Sequence, residues 1–223
     1  MTSSISVDGS SIDESAENKT SCILRDIRVD IVDVEAAKSP AYVILIRPVV
    51  GPFTSTLGTI PSHTVARTYS EWRGLYKALL KASNYNDSGA CMCVMGSCPF
   101  WTMHLLLHTV PFPPKVMFVR STKLLQTRKV ALLRFLSTIL SRLQIFRPEI
   151  FEVSRTASLS SSDHTNLHAC QFLRAIETFL GLSDAIVQQF ALVTHKSRLQ
   201  LTLQGWHLDR QKLNMSVVDD EEE

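Results

Sequence analysis

The sequence predicts an α+β domain: a three-stranded antiparallel β-meander packed against a helical subdomain, with a proline-rich loop between helices. Three observations predict it. Early in the chain, apolar residues alternate with charged ones and then give way to a β-branched run, the pattern of strands. Stretches follow in which apolar residues recur every three or four positions, the pattern of helices. Between these stretches stands Val110-Pro111-Phe112-Pro113-Pro114-Lys115, whose three prolines fix φ and remove three backbone donors, so it is neither helix nor interior strand.

Taken in order, residues 1–20 are rich in Ser, Asp and Glu and poor in apolar side chains, which predicts a disordered tail. In residues 22–35, Ile23, Ile27, Val29 and Ile31 interleave with Asp26, Arg28 and Asp30, a strand with one wet face. Lys38-Ser39-Pro40 is a turn. Residues 41–47 are a continuous β-branched and aromatic run, expected as a more fully buried strand and ended by Pro48, Gly51 and Pro52. Residues 60–68 read as the third strand, with Pro61 demoting its start to edge or loop. Ser70 is expected to cap a helix with Glu71 in its first turn, and Trp72, Leu75, Tyr76, Leu79 and Leu80 make its apolar stripe. Residues 84–89 are a turn cluster. Residues 100–108 form a short amphipathic segment, with Trp101 assigned to the core. After the proline loop, 116–119 is a short extended piece. Residues 127–143 are a strong helix: Leu132, Phe135, Leu136, Ile139, Leu140 and Leu143 face inward, while Arg128, Lys129, Arg134 and Arg142 lie elsewhere. Residues 158–163 are a polar loop, and 168–180 a last core helix stopped by Gly181. The main domain is therefore placed at 21–182. Residues 183–218 are a C-terminal extension, with a short helix from Ser183 and Asp184 carrying Ile186, Phe190 and Val193, and 219–223 are an acidic tail.

A chain of 223 residues suffices for one well-packed domain with tails. No apolar run reaches the ~20 residues of a membrane-spanning helix. The start is Ser-rich and acidic with no apolar core of a signal peptide, so a cytoplasmic protein is expected. The formal net charge is +2 but uneven. Both ends are acidic, and residues 115–155 carry nine bases against Glu149 and Glu152, which points to an anionic partner. Five cysteines with no secretory signal read as reduced thiols. Cys93, Cys98, His104 and His108 have ligand chemistry, since the histidines share a helix face. The gap between the pairs is shorter than in a zinc finger, so the reading is a loop and an apolar helix face, with no metal and no cofactor. No phosphate-binding glycine loop, nucleophile elbow or HExxH is present, and no enzyme is expected.

Three motifs in this order resemble the PX (phox homology) domain, the phosphoinositide-reading module of the sorting nexins: "RTYSEW" at residues 67–72, "PFPPK" at 111–115 and "TRKVALLRFL" at 127–136. The resemblance spans roughly residues 22–182. It implies a headgroup pocket in which Tyr69 packs under the inositol ring, Lys115 meets the phosphodiester and Arg128 grips ring hydroxyls or further phosphates. The 3-phosphate grip falls to an arginine in the family and to Thr68 here. A hydroxyl in place of a guanidinium weakens that contact by about 1.5–3 kcal/mol, roughly tenfold to 150-fold in affinity. Arg67 is adjacent, but the period of two in a strand points it to the opposite face.

The resulting expectation is a peripheral membrane module acting in endosomal trafficking or as an adaptor. Arg67, Thr68, Tyr69, Lys115 and Arg128 form the site, Val110 and Phe112 make an inserting tip, and the basic surface adds diffuse attraction. Phosphatidylinositol 3-phosphate is the first lipid expected. The alternative keeps the fold and replaces the lipid with a protein partner, bound through the proline loop or residues 183–218. Nucleic acid ranks last, because the basic helix lacks aromatic residues interleaved among its cations.

Overall fold

A computed structural model describes residues 23–35, 39–50, 59–93, 98–115, 121–147, 150–151, 170–195 and 197. Strands β1 (Ile27–Glu35), β2 (Ala41–Pro48) and β3 (His63–Thr68) form one antiparallel sheet in the order β1-β2-β3. Ile27 pairs with Pro48 and Glu35 with Ala41 across the first hairpin, while Ala41 pairs with Thr68 and Ile46 with His63 across the second. The helices are α1 (Tyr69–Ser83), α2 (Met103–Thr109), α3 (Thr122–Ile145), α4 (Gln171–Leu180) and α5 (Asp184–His195). A meander followed by helices is the α+β class that the patterning predicts.

The sheet presents one face to the core. Ile27, Val29 and Ile31 of β1 and Tyr42, Ile44 and Ile46 of β2 are buried, and the residues between them are half-buried or exposed. The run 41–47 is thus a one-sided strand, not the fully buried one expected. β-branched residues stand on both of its faces, but helices cover only one, and composition cannot report which. A bulge at Val32 shifts the register between Ile31 and Asp33, and the freed Val32 carbonyl accepts a hydrogen bond from Lys129 Nζ of α3 at 3.3 Å.

α1 begins two residues earlier than the expected Ser70 cap would start it. Thr68 is the N-cap, its hydroxyl accepting from the Glu71 N–H while the Glu71 carboxylate accepts from the Thr68 N–H, a complete capping box. α3 starts five residues before the expected position, because Lys123, Leu124, Leu125 and Gln126 are all good helix formers. Its six expected core residues are all buried, each contributing about 1.5–3 kcal/mol. α4 ends where Gly181 adopts φ 63°, and the Leu182 N–H closes the cap on the Glu177 carbonyl at 3.0 Å. Val187 and Phe190 of α5 are buried in the same core as the sheet and α1 to α4. Phe100 is an aromatic hub, with Phe146, Phe151 and Phe172 rings 5.1, 5.3 and 5.7 Å away. The extended piece 116–119 and the loop 158–163 lie outside the described residues.

Candidate headgroup site and a cysteine cluster

Tyr69 is the first residue of α1, directly after the strand-to-helix junction, so the capping box that starts the helix also fixes its ring. The proline loop crosses above it. Phe112 anchors the loop: its ring stacks on Tyr76 at 4.6 Å, meets Phe135 edge-on at 5.1 Å and lies 6.2 Å from Tyr69. The Tyr69 hydroxyl donates to the Pro113 carbonyl at 2.6 Å. Arg128 arrives from α3 with its guanidinium 4.1 Å from the Tyr69 ring centroid, and Nη2 donates to the Pro114 carbonyl at 3.3 Å. Arg128 is only 5% exposed, against the expectation that it faces away from the core. Its long side chain lies along an aromatic floor, a placement that helical periodicity does not encode.

No carboxylate among the described residues pairs with Arg128; the salt bridge described there is Arg67 to Glu71. A buried guanidinium set on a π-face with a carbonyl as its hydrogen-bond acceptor is partly compensated at best. Tyr42 of β2 is its other neighbour. Burial pushes the Tyr42 hydroxyl up from its ordinary value, with the Arg128 cation opposing, and the buried oxygen has no hydrogen-bond partner among the described residues. Tyr42 was not among the expected site residues, because in sequence it is one aromatic in an apolar strand. Lys115 closes the loop and is exposed.

Thus Tyr69 and Arg128 meet under the loop that Lys115 closes, and the other two expected site residues are placed differently. Arg67 turns to α4, where Nε donates to the Phe179 carbonyl at 2.7 Å and Nη2 to the Thr178 carbonyl at 3.2 Å. It therefore caps the negative end of that helix. Nη1 reaches Glu71 at 3.4 Å. Burial is the largest single influence on Glu71 and raises it, but the Thr68 N–H and hydroxyl and the Arg67 charge together outweigh this and hold its carboxyl below the usual range. The Thr68 hydroxyl is committed to the capping box. Val110 and Phe112, expected as an inserting tip, are half-buried and packed on the core, because Tyr76 and Phe135 offer Phe112 a flat apolar seat. Among the described residues, the apolar side chains that face solvent include Trp101, assigned to the core above, with Leu105, Tyr85 and Met92.

A second constellation lies elsewhere. Cys91, Cys93, Cys98 and Cys170 are all buried, and their sulfurs lie within 4.8 Å of one another. This cluster takes Cys93 and Cys98 of the residues weighed for ligand chemistry but neither His104 nor His108. Those two rings contact each other, Nε2 to Nε2 at 3.2 Å, and His104 Nδ1 meets Ser83 Oγ at 3.4 Å. Cys91 and Cys170 are the members that spacing did not reveal. Three cysteines within eight residues were the available signal; the fourth is 72 residues beyond Cys98, a separation that only folding closes. No protein-family model and no curated protein matches the chain.

Proposed function

We propose that this chain is a PX-type phosphoinositide-binding module, peripheral on an endosome-type membrane, with its headgroup site formed by Tyr69, Lys115 and Arg128. The observation that carries the reading is the buried Arg128 guanidinium, stacked on Tyr69 under the proline loop with no carboxylate among the described residues. A phosphate oxygen is a stronger acceptor than the Pro114 carbonyl and adds the missing negative charge. The exposed Lys115 supplies a second cation at the rim, and the Tyr69 ring is a floor for an inositol. With Arg67 and Thr68 committed to helix caps, the 3-phosphate gets little direct grip, so preference for phosphatidylinositol 3-phosphate rests on Arg128 and Lys115 alone.

A second reading, a protein-interaction module with the same fold, is favoured by that same commitment of Arg67 and Thr68 and by the packing of Phe112. Co-sedimentation with liposomes carrying each phosphoinositide in turn, at physiological salt, separates the two. Selective binding lost in Lys115→Ala supports the lipid reading. Absence of binding to every species sinks it. Thr68→Arg, checked for folding because it removes the N-cap, should raise affinity for the 3-phosphate roughly tenfold if the pocket is of the proposed kind.

A further inference from the structure

We propose that Cys91, Cys93, Cys98 and Cys170 bind a single tetrahedral zinc ion that ties the segment after α1 to the start of α4. The geometry is that of one ion. With a zinc–sulfur bond near 2.3 Å, the sulfurs of a tetrahedral site stand about 3.8 Å apart. Cys98 Sγ and Cys170 Sγ are 3.8 Å apart, Cys91 Sγ and Cys170 Sγ are 3.9 Å apart, and all four sulfurs lie within 4.8 Å of one another. These separations are far longer than a disulfide bond of about 2.05 Å, and the four cysteines are free. They are also too compact to be spread over an iron–sulfur cluster, whose cysteines sit on different metal atoms.

The surroundings suit thiolates. Cys170 is the N-cap of α4 and Cys98 the N-cap of the 3-10 turn Pro99–Thr102, so both cysteines stand at the start of a helical segment. The Gln171 N–H donates to Cys91 Sγ at 3.3 Å. Such N–H to sulfur bonds spread the negative charge of a four-thiolate site and orient its ligands. Each thiol gives up its proton as its sulfur–zinc bond forms. Cys91 is held in turn by its own N–H, which donates to the Ala82 carbonyl at the end of α1 at 3.0 Å. The ion thus joins the ends of three elements that the chain brings together only in the folded state.

The test uses the full chain, purified without chelator under reducing conditions. Native mass spectrometry with elemental analysis should find one zinc per chain. Exchange with cobalt(II) should give the intense visible bands of a tetrahedral centre and sulfur-to-cobalt charge transfer in the near ultraviolet. Cys170→Ala should lose stoichiometric cobalt uptake. Cys170→His, which restores a ligand, should recover uptake with the visible bands shifted to higher energy and the charge-transfer intensity reduced. Five titratable thiols, Cys22 included, with no zinc and no cobalt spectrum, two disulfides in the purified chain, or an unchanged cobalt spectrum in Cys170→His would each overturn the proposal. The histidine variant keeps the test decisive if the alanine variant does not fold.

Discussion

The ground under the proline loop and the base of α4 hold opposite electrostatic problems. Under the loop, Arg128 is buried between a tyrosine face and the Pro114 carbonyl, with no carboxylate paired to it among the described residues. At the base of α4, four sulfurs are packed so closely that deprotonation of more than one needs a cation between them. The first is partly compensated by groups that stay in place when a ligand leaves, which suits reversible binding. The second has no such partial solution once its thiols ionise, so its ion belongs to the folded structure itself. On the two proposals, one site trades stability for recognition and the other adds stability.

The sharpest way to break this contrast is to remove each charge. Stripping the metal with a strong chelator should lower Tm by roughly 10 °C or more, since about 1 kcal/mol shifts a chain of this size by 2–4 °C. A Tm unaffected by chelation would make the cluster ordinary buried thiols. Next in size, Arg128→Met keeps the stem and removes the charge. Its Tm in the absence of ligand should hold or rise by a few degrees, because an uncompensated buried charge is lost. Headgroup affinity should fall about tenfold to 150-fold, read by liposome titration. A large drop in Tm would mean that Arg128 is a structural strut and the comparison fails.

Phe112→Ala asks whether the loop is anchored inward. Losing the stack on Tyr76 and the edge contact with Phe135 should cost about 2 kcal/mol in urea unfolding, at the low end for a phenylalanine because the ring is half-buried. A change confined to membrane penetration, with stability untouched, would restore the insertion role expected from sequence. The smallest effect concerns Glu71. Its folded pKa is lowered, so its contribution is present above the ordinary value near 4.5 and is lost as pH falls through the folded value. Glu71→Gln keeps an acceptor for the Thr68 N–H and removes the charge. The Tm gap between wild type and variant should be about 2 °C or less at neutral pH and should close in acid, since the pair is largely solvent-exposed. A gap that persists in acid would assign the contribution to hydrogen bonding alone.

Much of the fold was legible because local periodicity carries it. Leu132, Phe135, Leu136, Ile139, Leu140 and Leu143 were assigned inward from their spacing, and all six are buried. Gly181 was assigned as the stop of the last core helix and adopts the left-handed conformation there. Trp72, Leu75 and Leu79 line the buried face of α1 as their stripe requires. The site was less legible. The period of two set Arg67 on the face opposite Thr68, but only the fold shows that it meets the carbonyl end of α4. Phe112 between prolines read as exposed, since nothing local announces that Tyr76 and Phe135 make a seat for it. Trp101 read as core, and it is about half exposed, at 49%.

By itself the sequence determined which segments are strands and helices, where α4 stops, and which faces are apolar. Those properties follow from the side chains of neighbouring residues and the geometry of the local backbone. Tertiary structure decided the rest. It chose which sheet face is covered, folded Arg128 onto Tyr69, spared Thr68 for a cap and brought Cys170 to within 3.9 Å of Cys91 across 79 residues. Each of these depends on contacts between elements distant in the chain, and those contacts are selected by the packing of the whole core, not by any property of the segments that meet.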